Sequence, residues 1–533
     1  MIDLHEKLHR PKGETEMKSF QYGRDFAVVN TAQGKVRGFE HDGILTFRGI
    51  PYARAKRFHA PEPIPRQEGV FDATSYGAVC PLLQQDDPKG EIFVPHRFWP
   101  QSENCLNLNV WTPALDGEKR PVLFWLHGGG YFAGSSIEQI AYDGHNMALH
   151  GDAVVVTINH RLNILGYFDL SEFGKEYENS ANAGSDDIIA SLKWVHENIA
   201  AFGGDPENVT IFGQSGGGGK VTTLLQSPAA DGLYAKGYIM SGVLGLLDDA
   251  KGSGKELAEA MMKELGIATV QEMEEVPFAS LAAAYNKLSP VFRKAGKYVG
   301  CSPKANAHYL GNPAVYGFRK ETQHIPLLVG TVYGEFTSFG PDPYDKFALS
   351  EEEQRKILTK YFTPETEKEL EALFRQAYPE RPLVDLLRLD TAFRQPTIEY
   401  LKIRAALNDH TYSYMFNMDQ PIFGSLTPWH CSDIPYVFRN IDLVDYPNGS
   451  PDAEAMQDAV FESVMAFART GSPENSLLPE WPACTADKEY TMVLDRQSRC
   501  LVNYDHALIP AAGKAIMPIF TKIMADLSGQ MQH

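Results

Sequence analysis

The stretch from Asn208 to Gln226 constrains the fold more than any other part of the chain. It demands a strand, a tight turn and a helix in immediate succession. Asn208-Val-Thr-Ile-Phe212 is a short apolar, β-branched run of the kind found in buried strands, and Lys220–Gln226 carries the pattern of a following helix. Between them lies Gly213-Gln-Ser-Gly-Gly217. In such a turn the glycines stand where neighbouring backbone comes too close for a side chain, and Ser215 projects outward. The Gly216 N–H then opens the helix, where the helix dipole favours a developing negative charge. Gly-x-Ser-x-Gly also occurs in ordinary turns, so it is the strand-turn-helix context that marks Ser215 as a candidate nucleophile.

Four further runs read as buried strands: Val122–Leu126, Ala153–Ile158, Tyr238–Met240 and Pro326–Val329, each bounded by Gly, Pro or Asp. Between the second of these and the nucleophile strand, Asp186–Phe202 places Ile188, Leu192, Val195 and Ile199 at helical spacing. Ser185 is the expected N-cap and Gly203-Gly204 the expected stop. Alternating strands and helices predict an α/β chain with a central, mostly parallel sheet. A polar tail is expected over 1–20 and a single domain over 21–533. Helical, charged stretches at about 250–320 and 345–410, including Ser350–Arg375, read as insertions covering the sheet. No Gly-, Ser- or Pro-rich linker separates them from the rest.

His127-Gly-Gly-Gly130 follows directly on the strand Val122–Leu126. Three glycines after a buried strand give either a flexible loop or a set of unshielded backbone N–H donors. The second reading makes Gly129 and Gly130, with Gly216, the donors of an oxyanion hole. The two glycine motifs are far apart in sequence, yet each follows a buried strand.

These motifs and several others resemble the type-B carboxylesterases, the family that includes bacterial para-nitrobenzyl esterases and, more distantly, cholinesterases. The resemblance runs over nearly the whole chain. It is carried by Phe47-Arg-Gly-Ile-Pro-Tyr-Ala53 with Arg57-Phe58, and by Ser102-Glu-Asn-Cys-Leu-Asn-Leu-Asn-Val110. Further on, Phe202-Gly-Gly-Asp-Pro-Glu-Asn-Val-Thr-Ile-Phe-Gly213 leads into the serine. Ala468-Arg-Thr-Gly-Ser-Pro473 and Trp481-Pro482 complete it. The resemblance implies an α/β-hydrolase fold and ester hydrolysis without cofactor or metal. By the same resemblance Glu335, in Gly330-Thr-Val-Tyr-Gly-Glu335-Phe336, is the catalytic acid, with Val332 and Phe336 standing where the family has Asn and Gly. His430, in Trp429-His-Cys-Ser-Asp-Ile-Pro-Tyr-Val-Phe438, is the base. The order Ser215, Glu335, His430 is that of α/β-hydrolases. Family members often join the positions of Cys80 and Cys105 by a disulfide. Cholinesterases carry Glu where this chain has Gln214, and their choline-binding Trp falls by counting at Pro95, near Phe98 and Trp99. The loss of that carboxylate argues against quaternary ammonium substrates and for alkyl or aromatic esters.

Aromatics close in sequence to these motifs, Tyr131, Phe132, Phe339, Phe423 and Trp429, are candidates for the substrate pocket, with core packing as the alternative. Lys220 is expected either to point to solvent or to tune the pocket. His5-Glu-Lys-Leu-His9 matches a zinc-protease pattern, but Pro11 ends any helix there and no third ligand is suggested, so no metal is expected. With 49 Lys+Arg against 68 Asp+Glu, the net charge of −19 excludes nucleic acid and anionic membranes as natural partners. The N-terminus lacks the apolar stretch of an export signal, which predicts a cytoplasmic protein, with secretion as the alternative. A monomer or homodimer is expected. Ala511–Leu527 reads as an amphipathic helix that packs on its own domain or mediates dimerisation. Amides, thioesters or lactones would use the same residues. A non-catalytic interaction protein is the remaining alternative, against which the intact triad weighs.

Overall fold

The computed structural model describes residues 20–84, 96–243, 252–338, 342–422, 425–447, 449–520 and 522–523. His5, Glu6 and His9, Phe339 and Phe423, and Pro95 lie outside the described residues.

Twelve strands form one sheet: β1 (Phe20–Gln21), β2 (Phe39–His41), β3 (Ile44–Pro51), β4 (Asn107–Thr112), β5 (Arg120–Leu126), β6 (Val154–Ile158), β7 (Gly204–Gln214), β8 (Lys236–Met240), β9 (Leu327–Val332), β10 (Thr411–Phe416), β11 (Tyr490–Leu494) and β12 (Arg499–Val502). Their spatial order is the chain order with β5 and β6 exchanged. Strands β6, β5, β7, β8, β9, β10 and β11 are parallel neighbours, and antiparallel strands flank them on both edges. Side chains of β5 alternate between two cores. Val122, Phe124 and Leu126 face one, Leu123 and Trp125 the other, and all are buried. A strand covered on both faces reads as a continuous apolar run, which is why these strands were legible in the sequence.

Helix α1 (Ala183–Asn198) starts before the expected Ser185 cap. Its N-cap is Asn182, whose side-chain amide bonds Asn179 Oδ1 and the Lys304 carbonyl instead of capping. A short 3₁₀ turn, Ile199–Phe202, follows, and Gly203 ends it with φ +81°, a left-handed conformation that glycine adopts without strain. Helix α2 (Gly216–Leu225) begins at once after Ser215, four residues earlier than Lys220 suggested. Four consecutive glycines hide it from propensity reasoning.

The stretch at 250–320 contains α3 (Lys255–Leu265) and α4 (Phe278–Lys294). Ser350–Arg375 divides into α5 (Glu351–Leu358) and α6 (Pro364–Ala377). Ser350 and Glu353 form a capping box on the first, while Thr363 caps the second with Pro364 at its first position. Helix α7 (Arg394–Ala405) completes this region. Near the C-terminus, α8 (Leu508–Ile516) buries Leu508, Ile509, Ala512 and Ile516 in a third core with Leu370 and Phe374 of α6. Among the described residues no helix is long and apolar enough to cross a membrane.

Candidate active site

Ser215 sits between β7 and α2 with φ +58° and ψ −126°. This is a strained conformation for a residue with a side chain. Neighbouring backbone holds it there: its N–H donates to Met240 O at 2.8 Å, and its carbonyl accepts from Gly219 N–H at 3.0 Å. The glycines around it are sterically required. A Cβ on Gly217 would lie 1.9 Å from Leu126 O, one on Gly213 2.5 Å from the Gly217 carbonyl carbon, and one on Gly216 2.2 Å from Gly130 O. The four-glycine run is therefore what lets the helix start against the end of β5.

Gly216 thus abuts the glycine loop that follows β5. Gly129 and Gly130 take φ +85° and +65°, and the Gly129 carbonyl accepts from Phe132 and Ala133 N–H, so the loop curls back on itself. Among the described residues, the N–H groups of Gly129, Gly130 and Gly216 donate to no protein acceptor.

Glu335 follows β9 and is fully buried. Its Oε2 accepts from His430 Nδ1 at 2.5 Å and its Oε1 from Val332 N–H at 2.8 Å, while its carbonyl accepts from His430 N–H at 3.0 Å. At position 332 a backbone N–H thus serves the carboxylate. The Phe336 ring lies 4.3 Å from the imidazole centroid, and Phe393 packs 5.2 Å from it. Burial, with the Glu335 charge adding to it, lifts the carboxyls of Asp390 and Asp433 to about 7. Two of the three carboxyls grouped here therefore resist ionisation.

Gln214 was expected only to remove a charge, but it also touches His430. Its Nε2 lies 3.3 Å from His430 Nδ1 and 3.2 Å from His430 Nε2. An atom nearly equidistant from both ring nitrogens faces the ring rather than either in-plane lone pair. The amide is held from the other side by Cys431, whose Sγ donates to Gln214 Oε1 at 3.1 Å. Cys431 is therefore a packed thiol, and burial raises it well above the usual thiol range. Ser215 Oγ makes no hydrogen bond among the described residues. The Ser215–His430 contact is thus the open link of the set, as is common before substrate binds.

Ser215, His430, Gly128, Gly129 and Gly130 line one cleft of about 590 Å³. Of the five pocket candidates, Phe132 and Trp429 line it. Tyr131 does not. It is buried beside α2 with its hydroxyl bonded to Thr223 Oγ1 at 3.0 Å, because the loop turns its side chain inward. Phe98, Trp99 and Phe336 join the lining and are 67%, 36% and 41% exposed; Phe132 is 54% exposed. Glu138, which sequence reasoning missed, also lines the cleft, and burial pushes its carboxyl up to about 7. Nothing in its sequence context, Ser135-Ser-Ile-Glu-Gln139, set it apart from a solvated loop acid. Lys220 points inward, 1% exposed. Cys80 and Cys105 are free buried thiols; their mutual hydrogen bond, followed by burial, raises Cys105 well above the usual range. Among the described residues no cluster of three or more His, Cys, Asp or Glu could hold a metal ion.

The model of one protein family, described as the carboxylesterase family, matches residues 25–508. The chain belongs to the carboxylesterase family. Two curated relatives are similar along most of their length. The para-nitrobenzyl esterase of Bacillus subtilis is 31% identical over 488 residues, covering 88% of this chain and 95% of the relative. The phenmedipham hydrolase of Pseudarthrobacter oxydans is 30% identical over 502 residues, covering 90% and 98%. Among solved structures, an esterase from Clostridium hathewayi that hydrolyses aliphatic aromatic polyesters is 49% identical. It superposes with a TM-score of 0.90, over 93% of this chain and 99% of that one. A Geobacillus stearothermophilus carboxylesterase is 32% identical with a TM-score of 0.69, covering 91% and 99%. This carboxylesterase has the α/β-hydrolase fold of its relatives, and it is an enzyme of carboxylic ester hydrolysis.

Proposed function

We propose that this carboxylesterase cleaves alkyl and aromatic carboxylic esters through an acyl-enzyme on Ser215, with His430 as base and acid and Glu335 orienting it. One observation carries the reading. A fully buried carboxylate holds His430 Nδ1 at 2.5 Å, and the same imidazole shares a cleft with a serine fixed in a strained turn. His430 Nε2 takes the Ser215 proton as Oγ bonds to the ester carbonyl carbon. The resulting oxyanion is met by the N–H groups of Gly129, Gly130 and Gly216, each donor being typically worth about 3 kcal/mol of barrier. The imidazolium returns its proton to the alcohol oxygen as the carbon–oxygen bond breaks. Water, deprotonated by the same imidazole, then attacks the acyl-enzyme, releasing the acid and restoring Ser215. Glu335 fixes the Nδ1–H tautomer and stabilises the imidazolium.

Substrate class follows from the cleft. The exposed rings of Phe98, Trp99, Phe132 and Phe336 at its lining supply apolar, stackable surface beyond the scissile bond. This supports esters with aromatic acyl or alcohol groups, and the polyester activity of the Clostridium hathewayi relative makes oligomeric aromatic esters worth including among the test substrates.

The test is direct. Ser215→Ala should lose ester turnover by at least about 10³-fold, and a fluorophosphonate should label Ser215 alone. Turnover surviving in Ser215→Ala, or labelling at another residue, would refute the assignment.

A further inference from the structure

Lys220 is the only charged side chain on α2, and it is 1% exposed. A cation in the first turns of a helix opposes the helix dipole. Burial also pulls its ammonium down to about 7. On both counts the placement costs stability, so the contribution of Lys220 lies elsewhere.

Its one hydrogen bond among the described residues runs from Nζ to the carbonyl oxygen of His127, at 2.9 Å. His127 opens the glycine loop. The surrounding groups leave Lys220 free for this bond. His127 and His160 stack at 5.2 Å, and each uses Nδ1 on a backbone carbonyl, Gly128 O at 2.8 Å and Arg161 O at 2.9 Å. Burial holds both imidazoles well below their ordinary range, hence neutral. Glu138 is the acidic group whose charge acts on the lysine, while its own Oε2 accepts from Ser135 N–H at 3.1 Å.

The oxyanion donors come from two separate pieces of chain: Gly216 from α2, Gly129 and Gly130 from the loop. Glycine contacts bring the two pieces together, with a Gly217 Cβ position 2.9 Å from His127 O, but contact does not fix one piece against sliding along the other. Among the described residues two hydrogen bonds tie α2 to this loop: the Tyr131 hydroxyl meets Thr223 Oγ1 just beyond the glycines, and Lys220 Nζ holds the backbone carbonyl of His127 just before them. We infer that Lys220 is a positioning residue for the oxyanion hole, holding the His127 carbonyl so that the Gly129 and Gly130 N–H groups keep their place relative to that of Gly216. The inference rests on those three N–H groups serving as the oxyanion donors, with Ser215 as nucleophile.

The experiment compares wild type with Lys220→Met, which keeps length and loses the donor, and with Lys220→Gln, which keeps a shorter donor. Each is assayed on a p-nitrophenyl ester and titrated with an aryl trifluoromethyl ketone, whose serine adduct carries the oxyanion. In Lys220→Met, kcat should fall at least about tenfold, part of the roughly 10²–10³-fold that loss of one oxyanion donor costs. KM should hold within about twofold, as expected for an interaction made in the transition state. Ketone affinity should fall by the same factor as kcat, and Lys220→Gln should recover part of both. Unchanged kcat and ketone affinity in Lys220→Met would overturn the inference. So would a loss confined to KM, or one that Lys220→Gln leaves unrepaired. A wild-type enzyme whose Ser215 is labelled by neither the ketone nor a fluorophosphonate would instead refute the nucleophile assignment, which separates the two failures.

Discussion

Replacing Lys220 by methionine should make the protein more stable at pH 6, and the gain should depend on pH in a defined direction. In the folded chain burial lowers the ammonium from 10.5 to about 7, whereas the unfolded chain leaves it near the ordinary value. Between about pH 7 and 10.5 the unfolded state therefore holds a proton that the folded state has released, so wild-type stability rises with pH across that window. Below about pH 7 the whole penalty is present. A gap of that size corresponds to at most about 5 kcal/mol. With about 2 cal/mol/K of unfolding entropy per residue, the 533-residue chain has roughly 1 kcal/mol/K, so the penalty amounts to about 5 °C in Tm. Lys220→Met should thus melt above wild type at pH 6, by that amount less the roughly 1–3 kcal/mol that the unpaired His127 carbonyl costs at every pH, and the advantage should disappear or reverse as pH approaches 10. Calorimetry at matched scan rates over pH 6–10 measures this directly. A Tm difference independent of pH, or one that grows with pH, would refute the reasoning, because it would mean that Lys220 is not a buried cation.

Two further outcomes follow from contacts. Phe98→Ala and Phe132→Ala should each raise KM for a benzoate or terephthalate ester by about 2–10-fold, the range of an aromatic contact. The change for a wholly aliphatic ester such as ethyl butyrate should be smaller, since neither half of it offers a ring to these side chains; equal effects on both substrates would count against it. Gly217→Ala should destabilise the chain by at least about 3 kcal/mol or abolish soluble expression, because its Cβ would lie 1.9 Å from the Leu126 oxygen. Wild-type melting of that variant would show that the turn has slack.

The sequence was most readable where buried residues are also apolar in an uninterrupted run; β4 and β10 are buried throughout but carry polar residues and were missed. Strands β5, β6 and the second half of β7 appear as apolar runs because both faces are covered, whereas Pro121, Gly204, Gly237 and Gly330, which bordered the runs, lie inside the strands themselves. The antiparallel strands were missed, and so were the parallel β10 and β11: Arg48-Gly49 breaks any apolar run in β3, and polar Thr411 and Ser413 break one in β10. Ser185 failed as a cap because the helix begins two residues ahead of it, which places Ser185 inside the first turn. Here helix α1 starts at Ala183 inside a network anchored by Asn182. Glu335 and His430 were found only through motif resemblance. Spacing cannot show that residues 95 positions apart share a hydrogen bond. Tyr131 and Phe132 illustrate the same boundary. They are adjacent and both aromatic, yet the curl of the glycine loop sends one into the core and the other to the cleft. The fate of Lys220 was invisible for a related reason, since its partner is a backbone carbonyl, a group that every residue possesses.

The strained turn at Ser215 also bears on how the proposed catalytic set is held. The serine is fastened through its own N–H to β8 and through its carbonyl to Gly219, and glycine contacts wedge the turn against β5. The imidazole is anchored by Nδ1, but its face is shared with the Gln214 amide, which Cys431 holds in turn. Under the proposed mechanism, attack begins from a serine whose backbone is fixed and whose Oγ is unbonded, and from an imidazole held at Nδ1 with its face on the Gln214 amide. On that mechanism, substitutions at 214 or 431 should reach the chemistry through the imidazole, since both residues contact it or its partner, and not through the backbone contacts that hold the Ser215 turn.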